Sequence, residues 1–245
     1  MPEAAPAVVQ QRLAAYTGAR EDIASLVPWQ ALHILDLGCS DGSLGLGLKQ
    51  QRPERRVCGI EYSSELAARA ASRLDEVHEA DLSRTDALEQ LSRKDFDCII
   101  CADVLEHLQQ PERLLEQLHG LLRPGGVLVV SLPNIRHLSA LRAIFLQGSF
   151  PRRPRGIFDD SHWRWFTVGD GRRLLEQAGY ALTDSSYTLR WGDQGGGRAN
   201  RLLNRWFGRH AGKIPPVREF LSYQFAMRAR STRSAESPID TPLGG

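Results

Sequence analysis

The sequence lacks the features that would assign it to a membrane, to secretion or to nucleic acid. No apolar run approaches the roughly 18 residues that a membrane-spanning helix requires. The N-terminus, MPEAAPAVVQQRLAAY, has no basic start followed by an apolar core, so no signal peptide is predicted. The formal net charge is only +2, which gives no global electrostatic reason to expect nucleic acid as a partner. We therefore predict a cytoplasmic protein without a transmembrane segment.

Cysteine is also scarce. The four cysteines lie in or beside apolar runs and are Cys39, Cys58, Cys98 and Cys101. We interpret them as reduced residues of a core. Cys98 and Cys101 form a C-x-x-C pair, but they lie in FDCIICAD, which is typical of a buried strand and not of the helix start that redox pairs occupy. No residues are predicted to bind a metal.

Strand and helix patterns alternate along the chain. With 245 residues, 42% of them hydrophobic, one domain is predicted over residues 1–230. The predicted strands are 32–37, 56–61, 77–82, 95–103, 127–133, 180–191 and 221–230. The predicted helices are a lead-in helix over 8–25 and then 43–51, 63–74, 111–122, 136–148 and 168–180. Residues 193–216 are predicted to be an insertion carrying a basic helix that a proline ends, and residues 231–245 a disordered tail.

This alternation predicts a doubly wound α/β fold around a seven-stranded, mostly parallel sheet. Parallel strands joined by helices form right-handed crossovers. Segments 180–191 and 221–230 are joined without a helix long enough for a crossover, so they are predicted to pair antiparallel. Such a sheet binds its ligand beyond the carboxyl ends of the strands, where the strand order reverses.

The segment LDLGCSDGS, residues 35–43, predicts a ligand-binding turn between a strand and a helix. Glycine at 38 and 42 permits positive φ and close approach of a ligand to the backbone. Glu61 ends the second predicted strand, where a carboxylate can accept both hydroxyls of a ribose. A dinucleotide is disfavoured, because G-x-G-x-x-G from Gly38 would need glycines where Ser40 and Ser43 stand.

The chain resembles the class I methyltransferases that use S-adenosylmethionine. The resemblance covers residues 30 to 134 and rests on LDLGCSDG, GIEYS, EADL, FDCIICADVLEHL and LLRPGGVLVVSLPN in that order. The later DDSHWRWFT and LLEQAGY resemble, more loosely, a bacterial subgroup that methylates small molecules and glycans. Ser40 departs from the pattern, since much of the family has a second glycine there.

The resemblance implies a cofactor role for nine residues. They are Asp36, Gly38, Ser40 and Gly42 around the methionine part, Glu61 at the ribose, Asp81 and Leu82 at the adenine, and Ala102 and Asp103 near the amino group. Three of them have structural alternatives: Asp81 as a cap for a helix over 83–91, Asp103 as a helix cap, and Asp36 as a turn acid.

The acceptor is expected near residues 103–107, 133–137 and 157–166. The candidate bases are His107, His137 and His162, of which His162 is favoured because acids and aromatic residues surround it in a segment that can form a lid. The alternative for His162 is a hydrogen bond that anchors this segment. His107 is more typical of a packed helix start, and His137 of an exposed position.

The predicted reaction is methylation of a small molecule, with a sugar or glycan-pathway hydroxyl favoured over a quinone precursor. A cofactor-binding module without turnover is the alternative from another class. An RNA methyltransferase is disfavoured, because Ala102-Asp103-Val104-Leu105 has no polar amide to hold a base amine.

The basic segments 152–155 and 198–209 either recognise a phosphorylated or acidic acceptor or form a solvated face. Trp206 and Phe207 pack on the domain or contact a membrane surface.

Overall fold

The computed structural model describes residues 20–91, 94–192, 197–207 and 213–233, which form a sheet of seven strands covered by helices. In chain order the strands are β1 His33–Leu37, β2 Arg56–Glu61, β3 Glu76–Glu79, β4 Phe96–Ala102, β5 Leu122–Pro133, β6 Tyr180–Leu189 and β7 Ser222–Ser231. The sheet order is β3-β2-β1-β4-β5-β7-β6. The predicted doubly wound α/β architecture is confirmed.

The strand order reverses between β1 and β4. Ile34 of β1 is in register with Val57 of β2 on one side and with Cys98 of β4 on the other, both parallel. The chain crosses from β1 outward through β2 and β3, and then returns to the other side of β1. A crevice therefore opens at the carboxyl ends of β1, β2 and β4. As predicted, β7 pairs antiparallel with β6, and it also pairs antiparallel with β5.

The helices agree with the predicted ones in position and differ mainly at their ends. They are Glu21–Ala24, Ser43–Gln51, Ser64–Ala70, Pro111–Leu118, Leu138–Leu141, Val168–Gln177, Gly197–Phe207 and Pro215–Phe220, with a 3-10 turn at Leu105–His107 and a π-helical turn at Arg142–Leu146. The side chain of Ser63 accepts from the amide of Leu66, which caps the helix that follows β2. Thr167 and Asp170 form a capping box at the helix Val168–Gln177, which follows an irregular segment over residues 150–167.

Four of the boundaries that differ from the prediction change the assignment of a residue or motif. The third strand ends at Glu79 and not at 82, and residues 83–91 form turns, so Asp81 caps no helix there. The helix predicted over 111–122 ends at Leu118, and Pro124-Gly125-Gly126 lie inside β5.

The other two wrong boundaries concern prolines and the tail. Pro215 opens a helix where a proline stop was predicted, because proline lacks only an N–H that the first helical turn leaves unpaired. Ser231 belongs to β7 and not to the tail. The lead-in prediction over 8–19, parts of the insertion (193–196, 208–212) and the tail from 234 lie outside the described residues.

The core lies on both faces of the sheet, and the four cysteines are part of it. All four are buried and free, which confirms that Cys98 and Cys101 are core residues of β4. Burial raises the pKa of the Cys58 thiol to about 12, so this thiol is protonated at neutral pH and unreactive. Within the described ranges, no helix has the length and apolarity that crossing a membrane takes.

Two glycines of the helix Ser43–Gln51 provide a matched test of its packing. A Cβ on Gly45 would contact the Leu74 side chain and lie 2.9 Å from Cγ1 of Val57, whereas a Cβ on Gly47 would meet nothing within 4 Å. We expect Gly45→Ala to lower the free energy of unfolding by about 1–3 kcal/mol through overpacking. Gly47→Ala should raise it by about 0.5–1 kcal/mol through helix propensity. Urea unfolding measures both, and equal effects would contradict this account of the packing.

Candidate active site

A cavity of about 1070 Å³ opens at the carboxyl ends of β1, β2 and β4. Eight of the nine predicted cofactor residues line it: Asp36, Gly38, Ser40, Glu61, Asp81, Leu82, Ala102 and Asp103. The ninth, Gly42, is not in the wall and supports the turn from behind, where a Cβ would lie 3.1 Å from Cα of Ala70. The fold therefore brings together residues that are up to 67 positions apart in the sequence.

The turn after β1 has a left-handed backbone at three positions. The φ angles are +67° at Gly38, +52° at Ser40 and +77° at Gly42. The amides of Gly38 and Cys39 both donate to the carbonyl oxygen of Ile60, at 2.8 and 3.0 Å, which fixes the turn to the end of β2. Serine is an unfavourable residue for this conformation, so the conformation at Ser40 is held by the surrounding contacts.

Glu61 supplies one of those contacts. Its Oε2 accepts from the amide of Ser40 at 2.9 Å, and its Oε1 accepts from the amide of Ser63 at 2.9 Å. The carboxylate therefore bridges the turn after β1 and the helix start after β2. Each carboxylate oxygen has a further lone pair, so the bridge leaves acceptor capacity for a ligand in the cavity.

Asp36 is the most unusual acid in the cavity wall. Its side chain is only 2% exposed, and its Oδ2 has no hydrogen-bond partner among the described residues. Burial, reinforced by the nearby Glu61 carboxylate, raises the pKa of Asp36 to about 7. Ser40 Oγ is a second buried atom without a partner in the described structure. Two orphaned polar atoms in one wall indicate that a polar ligand completes their bonding.

Asp103 lies in a network that the sequence did not predict. Its carboxylate accepts from Arg20 Nη1, Ser131 Oγ and Gln224 Nε2, each at 2.6 Å. These donors come from the chain before β1, from β5 and from β7. Together with the Coulombic attraction of Arg20, they hold the pKa of Asp103 below its ordinary value despite burial. The backbone of Asp103 also has a positive φ, +56°, a conformation that concentrates at functional sites.

Asp81 and Leu82 lie at the rim beyond β3. Oδ1 of Asp81 accepts from the amide of Ser83 at 2.9 Å, which stabilises a turn. Its other oxygen is available for the predicted contact with adenine. Tyr62, which the sequence analysis did not select, also lines the cavity and is 74% exposed. An exposed aromatic ring at this place suits a flat ligand group.

The same cavity continues past Val104 to a second group of residues. Its wall there comprises His107, Asp159, Ser161 and Trp163. Ser161 Oγ lies 3.1 Å from His107 Nδ1 and donates to Oδ1 of Asp159. The predicted acceptor regions around 103–107 and 157–166 therefore meet in one cavity.

The three candidate histidines differ in position. His162 is 7% exposed and does not line the cavity, and its pKa is lowered to about 4 by burial and by the nearby His107. His107 does line the cavity. His137 was expected to be exposed, and this is wrong: it is fully buried, and its ring nitrogens lie 2.8 Å from Ser139 Oγ and from the Arg190 carbonyl oxygen.

The basic segments contribute no arginine to the lining of this cavity in the described part of the chain. Arginines of the described helix Gly197–Phe207 and of segment 152–155 are absent from its lining. The arginines that do line it are Arg20, Arg84 and Arg113. Arg20 was missed because it lies outside every motif. Its one sequence signal is an arginine followed by two acids in the lead-in to β1.

Comparison with known proteins gives a family match and shared folds. The family model described as "Methyltransferase domain" matches residues 6–185. A protein named ubiquinone biosynthesis O-methyltransferase from Dinoroseobacter shibae is 28% identical over 183 residues, which are 72% of this chain and 70% of that protein. A protein of the same name from Aeromonas salmonicida is 28% identical over 158 residues, which are 62% of this chain and 64% of that protein. The alignment therefore spans less than two thirds of this second relative.

The fold is also found in solved structures. The crystal structure of magnesium protoporphyrin IX methyltransferase from Synechocystis PCC 6803 with bound SAH superposes with a TM-score of 0.56. The two sequences are 17% identical, and the superposition covers 94% of this chain and 89% of the other. At this identity the likeness shows a common fold.

Proposed function

We propose that this chain, which belongs to the methyltransferase domain family, methylates a hydroxyl group of a small-molecule acceptor. The predicted class I methyltransferase, with S-adenosylmethionine as its cofactor, is confirmed. The finer proposal depends on one observation: a single cavity is lined both by the predicted cofactor residues and by His107, Asp159, Ser161 and Trp163. In this proposal, cofactor and acceptor bind next to each other within that one cavity.

The residues of the first part of the cavity fit the cofactor. The orphaned Oδ2 of Asp36 and Oγ of Ser40 suit its amino acid part, since an ammonium group donates three hydrogen bonds. Arg20, paired with Asp103 at the same end, suits its carboxylate. Glu61 suits the ribose hydroxyls, and Asp81 with Leu82 suits the adenine. When bound, S-adenosylmethionine supplies a methyl group on a sulfonium, which is already activated for transfer.

The residues of the second part have to align the acceptor and exclude water. Methyl transfer to an activated centre depends mainly on alignment, and a base is needed only where a hydroxyl must lose its proton. Trp163 offers an aromatic face to a ring, and His107 with Asp159 offers polar groups beside it. We propose the His107 end of the cavity as the place where the acceptor hydroxyl binds. His162, buried behind it, positions this end.

Two acceptor classes are supported by different observations. The looser resemblance of DDSHWRWFT supports a sugar or glycan-pathway hydroxyl, which is our first choice. The names of the two relatives support a phenolic quinone precursor. Both classes present a ring that can stack on Trp163. A phosphorylated acceptor would contact the cavity arginines Arg84 and Arg113 and not the helix Gly197–Phe207.

Transfer from radiolabelled cofactor to two acceptor panels tests the proposal. One panel contains nucleotide-linked sugars and the other contains catechols and phenols with short prenyl tails. Methylation of a hydroxyl in either panel supports the proposal and selects the class. If neither panel nor a cell extract is methylated while the cofactor product still binds, the chain is a cofactor-binding module without turnover. Labelling of RNA from the extract would instead revive the disfavoured nucleic-acid substrate.

We also propose a cytoplasmic location for the enzyme. Four buried free thiols in one domain are typical of a reducing compartment.

A further inference from the structure

Three side chains with metal-binding donor atoms converge at the end of the cavity beyond β4. Glu106 and His107 belong to the 3-10 turn Leu105–His107, and His162 comes from the irregular segment that packs over it. One donor atom from each of the three lies within 4.8 Å of the others. Their chemical types, one carboxylate and two imidazoles, form a ligand set found in catalytic zinc sites.

Backbone hydrogen bonds hold the two parts of this cluster together. The amides of Trp163 and Arg164 both donate to the carbonyl oxygen of Glu106, at 2.9 and 3.2 Å. The Arg164 side chain donates to the carbonyl oxygen of Gln109 at 2.8 Å and to Oε1 of Glu112 at 2.6 Å. His162 is therefore fixed beside Glu106 by contacts that do not involve its own ring. The convergence of the three side chains is a property of the fold.

Glu106 is buried with one of its two carboxylate oxygens unpaired in the described structure. Its side chain is 1% exposed, and its Oε2 has no hydrogen-bond partner among the described residues. No arginine or lysine of the described chain forms an ion pair with it. The Nε2 atom of His162 lies 4.0 Å from Oε1, which is too distant for a hydrogen bond, and Arg20 attracts the carboxylate through space. An ionised carboxylate oxygen that is buried and unpaired is costly, and a cation bound there would remove that cost.

The ring of His162 points its acceptor nitrogen at this carboxylate. Nδ1 lies 3.3 Å from the carbonyl oxygen of Ile157, which only accepts, so Nδ1 carries the proton. The lone pair of Nε2 then faces Oε1 of Glu106. A metal-binding histidine commonly donates its other ring nitrogen to a backbone carbonyl in this manner. A cation between these two atoms, which lie 4.0 Å apart, would bond to both lone pairs.

The ring of His107, like that of His162, is held by a contact at its Nδ1 atom. Its Nδ1 lies 3.1 Å from Ser161 Oγ, and that hydroxyl donates to Asp159. The rings of His107 and His162 meet edge to face, with centroids 4.8 Å apart. Around a tetrahedral ion with bonds of roughly 2.0–2.1 Å, ligand atoms are about 3.3 Å apart. Side-chain adjustments of about an ångström would therefore bring the three donors to one ion.

We propose that Glu106, His107 and His162 bind one divalent transition-metal ion, for which zinc is the reference. Two imidazoles and one carboxylate suit zinc, while magnesium and calcium prefer all-oxygen sites. His107 lines the cavity, so the open coordination position faces the acceptor. The residues thus form a metal site where the sequence analysis predicted none.

The role of the ion rests on the proposed function. Bound to the ion, the acceptor hydroxyl loses its proton to cavity water more readily. Its oxygen then forms the new bond to the methyl carbon as the bond from that carbon to sulfur breaks, and the electron pair stays on sulfur. An acceptor with two adjacent oxygen atoms, either a vicinal diol or a catechol, would fill the open positions best.

Zinc binding to the chelator-treated chain, without cofactor or acceptor, tests the site. Isothermal titration calorimetry should show that the chain binds one equivalent of zinc with high affinity. Magnesium at the same concentration should give no such binding. Glu106→Gln and His162→Gln should each weaken it at least 100-fold. The matched control is His78→Gln, because Cys58, Glu76 and His78 form the other group of possible ligands in the described chain. The His78→Gln variant should still bind one equivalent of zinc with wild-type affinity.

Three results would overturn the proposal. They are no zinc uptake by the wild-type chain, uptake unchanged in both Glu106→Gln and His162→Gln, or uptake lost only in His78→Gln. Binding of S-adenosylhomocysteine, measured for every variant, shows whether the fold and the cofactor cavity are intact. Because zinc uptake and transferase turnover are measured separately, loss of one proposal does not decide the other.

Discussion

Replacing Glu61 by alanine is expected to weaken binding of S-adenosylmethionine and its demethylated product by about 1–3 kcal/mol, or roughly 5- to 150-fold. In the proposed site, the variant loses the carboxylate that accepts from the ribose hydroxyls. The carboxylate is also lost as the bridge between the Ser40 and Ser63 amides. The buried Ser40 amide then has no partner, which costs about a further 1–3 kcal/mol of unfolding free energy. Calorimetry with S-adenosylhomocysteine and urea unfolding measure the two effects.

A matched control separates the site from the general loss of a carboxylate. Glu65 lies four residues further on, is exposed and pairs with Arg69 on the helix surface at 2.6 Å. Glu65→Ala should leave affinity unchanged and cost no more than about 0.5 kcal/mol of stability. Glu61→Gln should keep part of the bridge and bind better than Glu61→Ala. Wild-type affinity in Glu61→Ala would contradict the ribose assignment.

The cofactor half of the cavity could be predicted because its signals are local. A short apolar run, a glycine turn and a carboxylate at the next strand end are each visible within a few residues. Parallel pairing of β1 with β2 then places Glu61 beside the turn without any further information. The left-handed backbone at Ser40 could not be predicted from its side chain, because a hydrogen bond from across the sheet stabilises it.

The contacts around Asp103 and around the His107 end of the cavity could not be predicted, because they join residues that are distant in sequence. Gln224 reaches Asp103 only through the antiparallel position of β7 beside β5. His162 faces Glu106 because two backbone amides dock the irregular segment on the 3-10 turn, and no periodicity encodes that. The sequence analysis favoured His162 as a base and gave a hydrogen bond that anchors its segment as the alternative. In the structure His162 is 7% exposed, and its Nδ1 lies 3.3 Å from the carbonyl oxygen of Ile157. In our proposal, the Nε2 atom of His162 binds a metal ion.

The affinity for cofactor is expected to fall as the pH is lowered through 7, and Asp36 is the reason. Its pKa is raised to about 7 in the folded chain without ligand, against an ordinary value of about 3.9. The folded chain therefore keeps a proton that the unfolded chain has lost, and its stability declines as the pH rises from about 4 to 7. The cationic cofactor prefers the ionised carboxylate, so binding below pH 7 must release this proton. The dissociation constant should rise towards tenfold per pH unit from about 6.5 down to 5.

Asp36→Asn removes the titrating group while keeping its size. The variant therefore tests the pH dependence of both cofactor affinity and stability. The amide cannot attract the ammonium group, so affinity at pH 8 should be lower than in the wild type. Between pH 5 and 8 that affinity should be nearly constant. The free energy of unfolding at pH 8 should instead be higher than in the wild type, because the variant forms no buried charge as the pH rises. The variant should therefore unfold at a higher urea concentration at pH 8. Calorimetry in buffers of different ionisation enthalpy would count the released proton directly. A wild-type affinity that is flat from pH 5 to 8 would mean that Asp36 is ionised throughout and that its orphaned oxygen has another partner.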